Sequence, residues 1–224
     1  MKLYMHPVST TSRPVMQFIA DNEIDVDMQV IDILKGEQYE PTYSKINPNH
    51  LIPMLEDGDF RLTESAAILR YLAEKTGLAA YPKDLKQRAR VNEVLDWFNS
   101  NFYRDWGYGL VYPQIFPHLK REDAKVQEAV VAWGKDKSKG WLQILNDHFL
   151  GPKSQYLCGN EITIADYFGA AMVTAGELVH CNLAAYPNVE RWLGNMKSRP
   201  SYAKVYETFN GFCASTKGQP WQAI

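Results

Sequence analysis

The stretch "INPNHLIPMLEDGDFRLTESAAILRYLAEK", residues 46–75, decides which fold this chain adopts. It holds two short apolar segments on either side of Asp57-Gly58, a dipeptide typical of the tight turn between antiparallel strands. The next segment has apolar residues at helical spacing over Ala66–Lys75, and it is followed by Gly77, a residue type that often closes a helix. The stretch therefore predicts two paired strands and one helix.

The residues before this stretch predict a β-α-β unit. "KLYM" reads as a short strand, and "RPVMQFIADNE" carries Val15, Phe18 and Ile19 at helical spacing. "VDMQVIDIL" alternates apolar and polar residues and predicts a second strand. A strand, a helix and a strand in this order favour a parallel pair with a right-handed crossover.

The residues after the stretch predict helices only. "LAAYPKD" is typical of a linker, and long helical patterns cover residues 84–118 and 122–149. Three shorter helical segments complete the chain, and the first of them begins with Thr163-x-x-Asp166, which has the form of a capping box. The predicted fold class is α/β plus all-α, with a first domain over 1–78, a linker over 79–83 and a helical domain over 84–224.

Composition and charge exclude several classes of function. The 224 residues are 46% hydrophobic and 22% charged, which is ordinary for a soluble globular protein. The net charge is -2 and no run of Lys or Arg is present, so neither nucleic acid nor an anionic membrane is expected as the main partner. The start lacks the apolar core of a signal peptide, and no apolar stretch approaches the roughly 18 residues of a membrane span.

Cysteine and histidine usage predicts a cytoplasmic protein without a metal. Cys158, Cys181 and Cys213 are widely spaced and form no CxxC pair, so a reducing, cytoplasmic setting is the expectation. The five histidines show no metal-ligand spacing, so no metal site is expected.

Two segments place hydroxyl groups at predicted helix starts. "HPVSTTSRPV", residues 6–15, crowds four hydroxyl side chains between two prolines. Pro14 is tolerated only in the first turn of a helix, so capping alone would explain Ser12. Likewise Thr63 or Ser65 would cap the helix that follows them, and a helix N-terminus also attracts an anion.

These motifs together resemble a known family. Residues 46–75 resemble the second half of the thioredoxin-like domain of glutathione transferases, and "GNEITIADYFGAA", residues 159–171, resembles the motif of their helical domain. The resemblance covers essentially the whole chain in the expected order. "VSTTSRPV" and "IDILKGEQ" look most like the theta-type and related bacterial members, which use a serine. The resemblance implies a thioredoxin-like glutathione-binding domain and a helical domain with an electrophile-binding pocket.

The resemblance implies a catalytic role for the opening hydroxyls. The thiol of glutathione is mostly protonated at neutral pH, and a transferase must stabilise its thiolate. Alignment with the theta-type pattern places Ser9 at the catalytic serine and Arg13 at the arginine that follows it. Ser12 is the alternative donor, and Thr10 and Thr11 stay open as well. No cysteine precedes Cys158, which excludes cysteine-based chemistry here.

The resemblance also implies where glutathione binds. The Ile52–Pro53 bond is expected to be cis and to turn the backbone of Ile52 towards the peptide of the ligand. Ser65 is expected to bind the γ-glutamyl carboxylate and Glu64 the amino group. His50 is the candidate for the glycine carboxylate, and the chain carries fewer cations there than most theta-type members. The implied glutathione-binding set is Gln38, Tyr39, His50, Leu51, Ile52, Pro53, Glu64 and Ser65.

The aromatic run "WFNSNFYRDWGYGLVYPQIF", residues 97–116, has two explanations. Aromatic residues on a helix usually belong to the core. Rings that point in several directions around two glycines also suit an acceptor pocket, and the resemblance places this helix beside the sulfur. The predicted electrophile-binding residues are Tyr103, Arg104, Tyr108 and Tyr112.

The function implied is conjugation of glutathione to an electrophile. Because the same fold carries non-enzymatic members, a non-catalytic glutathione- or protein-binding module is the alternative. Glutathione-dependent dehalogenation, peroxide reduction or isomerisation are further alternatives. The resemblance also implies a homodimer, for which Met54, Phe60, Leu62, Arg88 and Arg90 are the expected contact residues.

Overall fold

The computed structural model describes residues 1–224, and its first part is built on a four-stranded sheet. The strands are β1 (Lys2–Met5), β2 (Asp27–Val30), β3 (Met54–Asp57) and β4 (Phe60–Leu62), in the order β2-β1-β3-β4. β1 pairs with β2 in parallel, and β3 is antiparallel to both β1 and β4. The predicted parallel pair and the predicted hairpin are both confirmed.

Three helices accompany the sheet. They are α1 (Arg13–Asp21), the short α2 (Pro41–Ser44) and α3 (Ser65–Thr76). The turn between β3 and β4 uses Gly58 at φ 65°, and α3 closes on Gly77 at φ 67°, both in the left-handed region that favours glycine. The predicted helix over Ala66–Lys75 is therefore confirmed, with one residue more at each end.

The second part is entirely helical, but its first long helix is not regular. Instead of one helix over 84–118, the chain forms α4 (Leu85–Trp97), α5 (Tyr103–Asp105) and α6 (Tyr112–Ile115), joined by wider π-helical turns at Phe98–Phe102 and Trp106–Val111. The remaining helices are α7 (Ala124–Ile144), α8 (Ile164–Thr174), α9 (Pro187–Lys197), α10 (Tyr202–Val205) and α11 (Glu207–Ser215). None of them combines the length and the apolar composition that crossing a membrane requires.

A pair of glycines brings the second π-helical turn against α7. A Cβ atom on Gly134 would lie 2.4 Å from the carbonyl carbon of Gly109, and one on Gly109 would lie 3.0 Å from the Cα of Gly134. The two backbones therefore touch directly, because neither residue carries a side chain. This contact fixes the segment that carries the tyrosines of the aromatic run.

One apolar core runs through both parts of the chain. The buried cluster includes Leu3 and Phe18 from the first part together with Tyr167 and Trp192 from the second. Phe18 meets Tyr167 edge to face, with ring centroids 5.2 Å apart. The division at 79–83 stays a prediction; α3 ends at Thr76 and α4 begins at Leu85 on either side of it.

The predicted capping box at the start of α8 is confirmed. The Asp166 carboxylate accepts the N–H of Thr163 at 2.8 Å and its hydroxyl at 2.9 Å. It also accepts the N–H of Leu157 at 2.8 Å and Nε1–H of Trp192 at 2.9 Å, which the sequence did not indicate. Asp166 therefore joins α8 to the preceding loop and to α9.

The residues expected at a dimer contact are only partly exposed. Phe60 is 45% exposed and packs against Tyr71 at 5.3 Å between centroids. Leu62 is half-buried, whereas Met54 is fully buried inside the subunit, because β3 is an inner strand. Arg88 and Arg90 are each bonded to a carboxylate of their own chain. Met54 is therefore removed from the expected contact set.

Candidate functional site

Ser9 stabilises the turn that leads into α1. Its Oγ accepts the N–H of Ser12 at 3.2 Å, whereas the Ser12 side chain forms no cap, so the prediction that Ser12 caps was wrong. Ser9 Oγ also lies 3.1 Å from Oγ1 of Thr11, whose hydroxyl donates to the carbonyl of Ile52 at 3.0 Å. Because the single hydroxyl proton of Thr11 goes to Ile52, the proton shared between Ser9 and Thr11 belongs to Ser9.

Ser12 and Arg13 are both fully buried. Ser12 Oγ accepts the N–H of His6 at 3.5 Å beneath the loop. The Arg13 guanidinium donates to Thr174 Oγ1 at 3.0 Å and lies 3.5 Å from the ring centroid of Phe209. Neither side chain has surface with which to contact a ligand in this conformation, so Ser12 has a structural place and Arg13 acts on the site only through its neighbours.

The loop before β3 presents backbone groups to the same place. The Ile52–Pro53 bond is cis, as the resemblance implies. The N–H of Ile52 has no hydrogen-bond partner in the protein. The carbonyl of Leu51 accepts the Tyr43 hydroxyl at 2.6 Å and Nδ2–H of Asn47 at 2.8 Å, while the Leu51 side chain stays 63% exposed. The loop is held from below, and the N–H of Ile52 is free to bind a ligand.

The N-terminus of α3 is open. Neither Thr63 nor Ser65 caps it, contrary to the prediction, because the Ser65 hydroxyl donates to the Thr11 carbonyl at 2.7 Å. The N–H of Ser65 has no acceptor in the protein, and this is the positive end of a 12-residue helix. The residue before it, Glu64, is exposed, forms no ion pair and has φ 66°, a conformation uncommon for a residue with a side chain. Together these groups suit a ligand end that carries both a carboxylate and an amino group.

A second set of predicted residues lies together around His50. Its Nδ1 is 3.1 Å from the Gln38 carbonyl and 3.1 Å from Ser44 Oγ. The ring of Tyr39, a residue that is 67% exposed, lies 5.6 Å from the His50 ring. Oε1 of Gln38 is buried without a partner. His50 is therefore held through Nδ1, and Nε2 is the ring nitrogen left for a ligand.

Three of the predicted tyrosines form one cluster beside the Ser9 loop. The hydroxyls of Tyr103 and Tyr112 are 2.7 Å apart, and the Tyr112 hydroxyl donates to Thr10 Oγ1 at 2.7 Å. The Tyr108 ring lies 5.4 Å from that of Tyr103 and 5.2 Å from that of Tyr112, and Tyr108 is 51% exposed. Burial raises the pKa of Tyr112 to about 12. Tyr103 and Tyr112 belong to the buried core, so of the three predicted rings only that of Tyr108 is substantially exposed beside the Ser9 loop.

Arg104 is occupied by its neighbour. Its guanidinium forms two bonds to Asp105, at 2.8 and 2.9 Å, and Asp105 also accepts Nε1–H of Trp141 at 2.7 Å. Arg104 and Tyr108 line a groove of about 430 Å³ together with Trp133. Arg104 therefore lines this groove with the aliphatic part of its side chain and with a guanidinium whose charge is balanced by Asp105.

The sequence interpretation missed Phe116, and it left Thr10 open only as a donor to the sulfur, not as the partner of Tyr112. Thr10 accepts the Tyr112 hydroxyl, and the Phe116 ring lies 5.3 Å from that of Tyr112. The spacing of four residues between Tyr108, Tyr112 and Phe116 was a signal that could have found Phe116. No sequence signal joins Thr10 to a residue 102 positions away.

A separate cleft of about 1150 Å³ lies between the segment around Tyr81 and the loop around Cys158. None of the predicted site residues lines it. No group of three or more His, Cys, Asp or Glu side chains is arranged to hold a metal ion.

The chain is similar to known proteins over most of its length. Residues 1–74 match the family model "Glutathione S-transferase, N-terminal domain", and residues 111–200 match "Glutathione S-transferase, C-terminal domain". Glutathione S-transferase theta-1 of Homo sapiens is 34% identical over 182 residues, which is 80% of this chain and 72% of the relative. Glutathione S-transferase theta-2 of Rattus norvegicus is 32% identical over 195 residues, or 86% and 78% of the two chains.

Solved structures show the same similarity. A delta-class glutathione transferase of Nilaparvata lugens superposes with a TM-score of 0.82 at 31% identity, covering 96% of this chain and 98% of that one. Human glutathione transferase theta-2, in complex with glutathione and an unknown ligand, superposes with a TM-score of 0.84 at 26% identity, covering 99% and 92%.

Proposed function

The chain belongs to the glutathione S-transferase family as a theta-like glutathione transferase, and we propose that it joins the thiolate of glutathione to an electrophilic small molecule, with Ser9 stabilising the thiolate. In the relative whose structure contains glutathione, the fold is the same as here. The proposal adds to family membership the residue that acts on the sulfur and the residues that hold the two substrates.

One observation carries this proposal: Thr11 connects three of the predicted binding elements. Its Oγ1 lies 3.1 Å from Ser9 Oγ and donates to the Ile52 carbonyl at 3.0 Å, and its own carbonyl accepts the Ser65 hydroxyl at 2.7 Å. The Ser9 hydroxyl, the free N–H of Ile52 and the open N-terminus of α3 are thereby held around a single residue. An extended tripeptide can contact all three at once.

The proposed binding mode follows the charges of glutathione. Its γ-glutamyl carboxylate binds the N–H of Ser65, and its amino group binds the Glu64 carboxylate. The cysteinyl peptide binds the N–H of Ile52 beside Pro53. The glycine carboxylate lies towards Nε2 of His50, whose Nδ1 is held by the protein. Residues 1–78 would then bind glutathione and residues 84–224 the electrophile.

Ser9 would act as a hydrogen-bond donor. Its proton faces Thr11 Oγ1, and a rotation about χ1 turns it towards the sulfur of glutathione. A hydrogen bond to the charged sulfur favours the thiolate over the thiol, so the thiol proton leaves to solvent. The thiolate then attacks the electrophilic carbon to form a thioether; with an aryl halide the carbon–halogen bond breaks and the halide leaves with its electron pair, and Ser9 forms no covalent bond.

The test combines glutathione capture with turnover. The wild-type protein is expected to bind immobilised glutathione and to convert a generic aryl halide. Ser9→Ala is expected to lower kcat/KM about 10- to 100-fold while glutathione binding persists, because one charge-assisted bond is worth roughly 1.5–3 kcal/mol. Ser198→Ala, on an exposed hydroxyl bonded only to the Asn195 carbonyl, is the matched control and is expected to behave as wild type.

Other outcomes would point to the alternative functions. Capture without any turnover would favour a binding module, and turnover with a peroxide but not with the aryl halide would favour glutathione-dependent reduction. Full activity in Ser9→Ala would remove Ser9 from the mechanism.

A homodimer and a cytoplasmic location are also part of the proposal. The exposed ring of Phe60 supports a contact through β4, and the three cysteines are free thiols. Light scattering is expected to give about twice 25.6 kDa at micromolar concentration, and about half that mass for Phe60→Glu. A mass near 25.6 kDa for the wild type throughout the concentration range would exclude the dimer.

A further inference from the structure

A chain of three hydroxyls runs from the helical part of the molecule to the Ser9 loop. The Tyr112 hydroxyl donates its only proton to Thr10 Oγ1 at 2.7 Å. The Tyr103 hydroxyl lies 2.7 Å from that of Tyr112, so the proton between the two phenols is the proton of Tyr103. The hydrogen bonds therefore run in one direction: Tyr103 donates to Tyr112, and Tyr112 donates to Thr10. Burial raises the pKa of both phenols, to about 12 for Tyr112, so both keep their protons at neutral pH.

The last hydroxyl of this chain has a proton to spare. Thr10 Oγ1 accepts from Tyr112 and, at 3.4 Å, from Nη2 of Arg13, and these two bonds use both of its acceptor positions. No protein group accepts the proton of Thr10 itself. The Ser9 proton, by contrast, is already given to Thr11. The loop therefore offers a ligand one hydroxyl proton that is free from the start.

A buried positive charge lies behind Thr10. Arg13 is fully buried, and its guanidinium contacts hydroxyls, the Ala171 carbonyl and two aromatic rings but no carboxylate. An unpaired buried cation is costly, and it favours a negative charge nearby. A hydroxyl that accepts a bond from a cation is also a stronger donor, because the bonds of such a chain polarise one another.

We propose that the Thr10 hydroxyl is the second hydrogen-bond donor to the sulfur of bound glutathione, beside Ser9, and that Tyr112 and Arg13 are positioning residues that aim it. This inference rests on the proposed function. It also explains why Arg13 is buried without a carboxylate partner, which Ser9 alone does not explain: the thiolate is the counter-charge of Arg13.

The experiment follows the ultraviolet absorbance of the bound thiolate as a function of pH. Thr10→Val keeps the shape of the side chain and removes the hydroxyl, so the thiolate fraction at neutral pH and kcat/KM are expected to fall about tenfold, with recovery at high pH. Thr10→Ser is expected to restore both. Tyr112→Phe is expected to give a loss of about threefold, and adding it to Thr10→Val is expected to change nothing further, because Tyr112 acts through Thr10.

Tyr81→Phe is the matched control. It removes a half-buried phenol that donates to Asn92 Oδ1 at 3.1 Å beside the other cleft, and its thiolate titration is expected to equal that of the wild type. A thermal melt of each variant separates loss of fold from loss of the donor.

Two results would overturn the inference. A wild-type thiolate titration in folded Thr10→Val would remove Thr10 as a donor. Additive losses in the Thr10→Val, Tyr112→Phe double variant would remove Tyr112 as its positioning residue. If instead the wild-type protein did not lower the pKa of the bound thiol, or Ser9→Ala kept full turnover, the proposed function itself would fail.

Discussion

Replacing Asp166 by Ala should destabilise the protein by about 4 kcal/mol. The carboxylate accepts four hydrogen bonds, from two backbone N–H groups, the Thr163 hydroxyl and the Trp192 indole, and it is fully buried. Its removal leaves at least three donors unsatisfied, since only the hydroxyl can turn elsewhere. Each unsatisfied buried donor costs roughly 1–3 kcal/mol, and partial entry of water reduces the sum.

Asp166→Asn separates the hydrogen bonds from the charge. Asparagine keeps the shape and one oxygen, so two of the four donors stay satisfied and the expected loss is about 1–2 kcal/mol. Urea unfolding, followed by circular dichroism, measures both variants. A loss below about 1 kcal/mol in Asp166→Ala would mean that the four bonds contribute little to stability.

A comparison of the wild type with Asp166→Asn also tests how stability depends on pH. Burial raises the pKa of Asp166 from 3.8 to about 6, although its four donors act in the opposite direction. Because the folded pKa lies above the unfolded one, the stabilisation from this group is complete below about pH 4 and is lost as the pH rises through about 6. The free energy of unfolding of the wild type should therefore fall over this range relative to Asp166→Asn. A rise would show that the donors outweigh burial.

Two further predictions concern the ligand and the fold. Glu64→Ala should weaken glutathione binding about 10- to 100-fold by calorimetry, since the amino group of the ligand loses its carboxylate partner, and His50→Ala should weaken it less; the reverse order would contradict the proposed binding mode. Gly134→Ala should lower the free energy of unfolding by about 2–3 kcal/mol, because its Cβ would lie 2.4 Å from the backbone of Gly109. Gly140→Ala is the control: a Cβ at Gly140 meets nothing within 4 Å, so this variant should be neutral or slightly stabilising.

The features that the sequence predicted are those set by neighbouring residues. The turn at Asp57-Gly58 and the closure of α3 at Gly77 depend on backbone conformations that glycine adopts at no cost, so they can be read locally. The capping box of α8 depends on two residues three positions apart. For the same reason the order of the four strands, α1 and α3 was predictable, whereas no pattern predicted the short α2.

What the sequence could not predict depends on contacts between distant segments. The helix over 84–118 is broken into π-helical turns where Gly109 meets Gly134. Ser12 does not cap α1, because its hydroxyl accepts the N–H of His6 beneath the loop. The link between Thr10 and Tyr112 spans 102 positions, and no local pattern records it.

The surroundings of Arg13 bear on how this molecule could be taken apart and recombined. Its guanidinium sits on the first segment of the chain, yet most of its contacts, to Thr174, Tyr206 and Phe209 among others, come from the last third. A chimera that joined residues 1–78 to the helices of a relative would leave Arg13 buried without partners, unless the new helices supplied an equivalent hydroxyl and two equivalent aromatic rings. The two parts are therefore not interchangeable modules. Recombination between relatives has to exchange Arg13 together with the residues of the helical part that contact it.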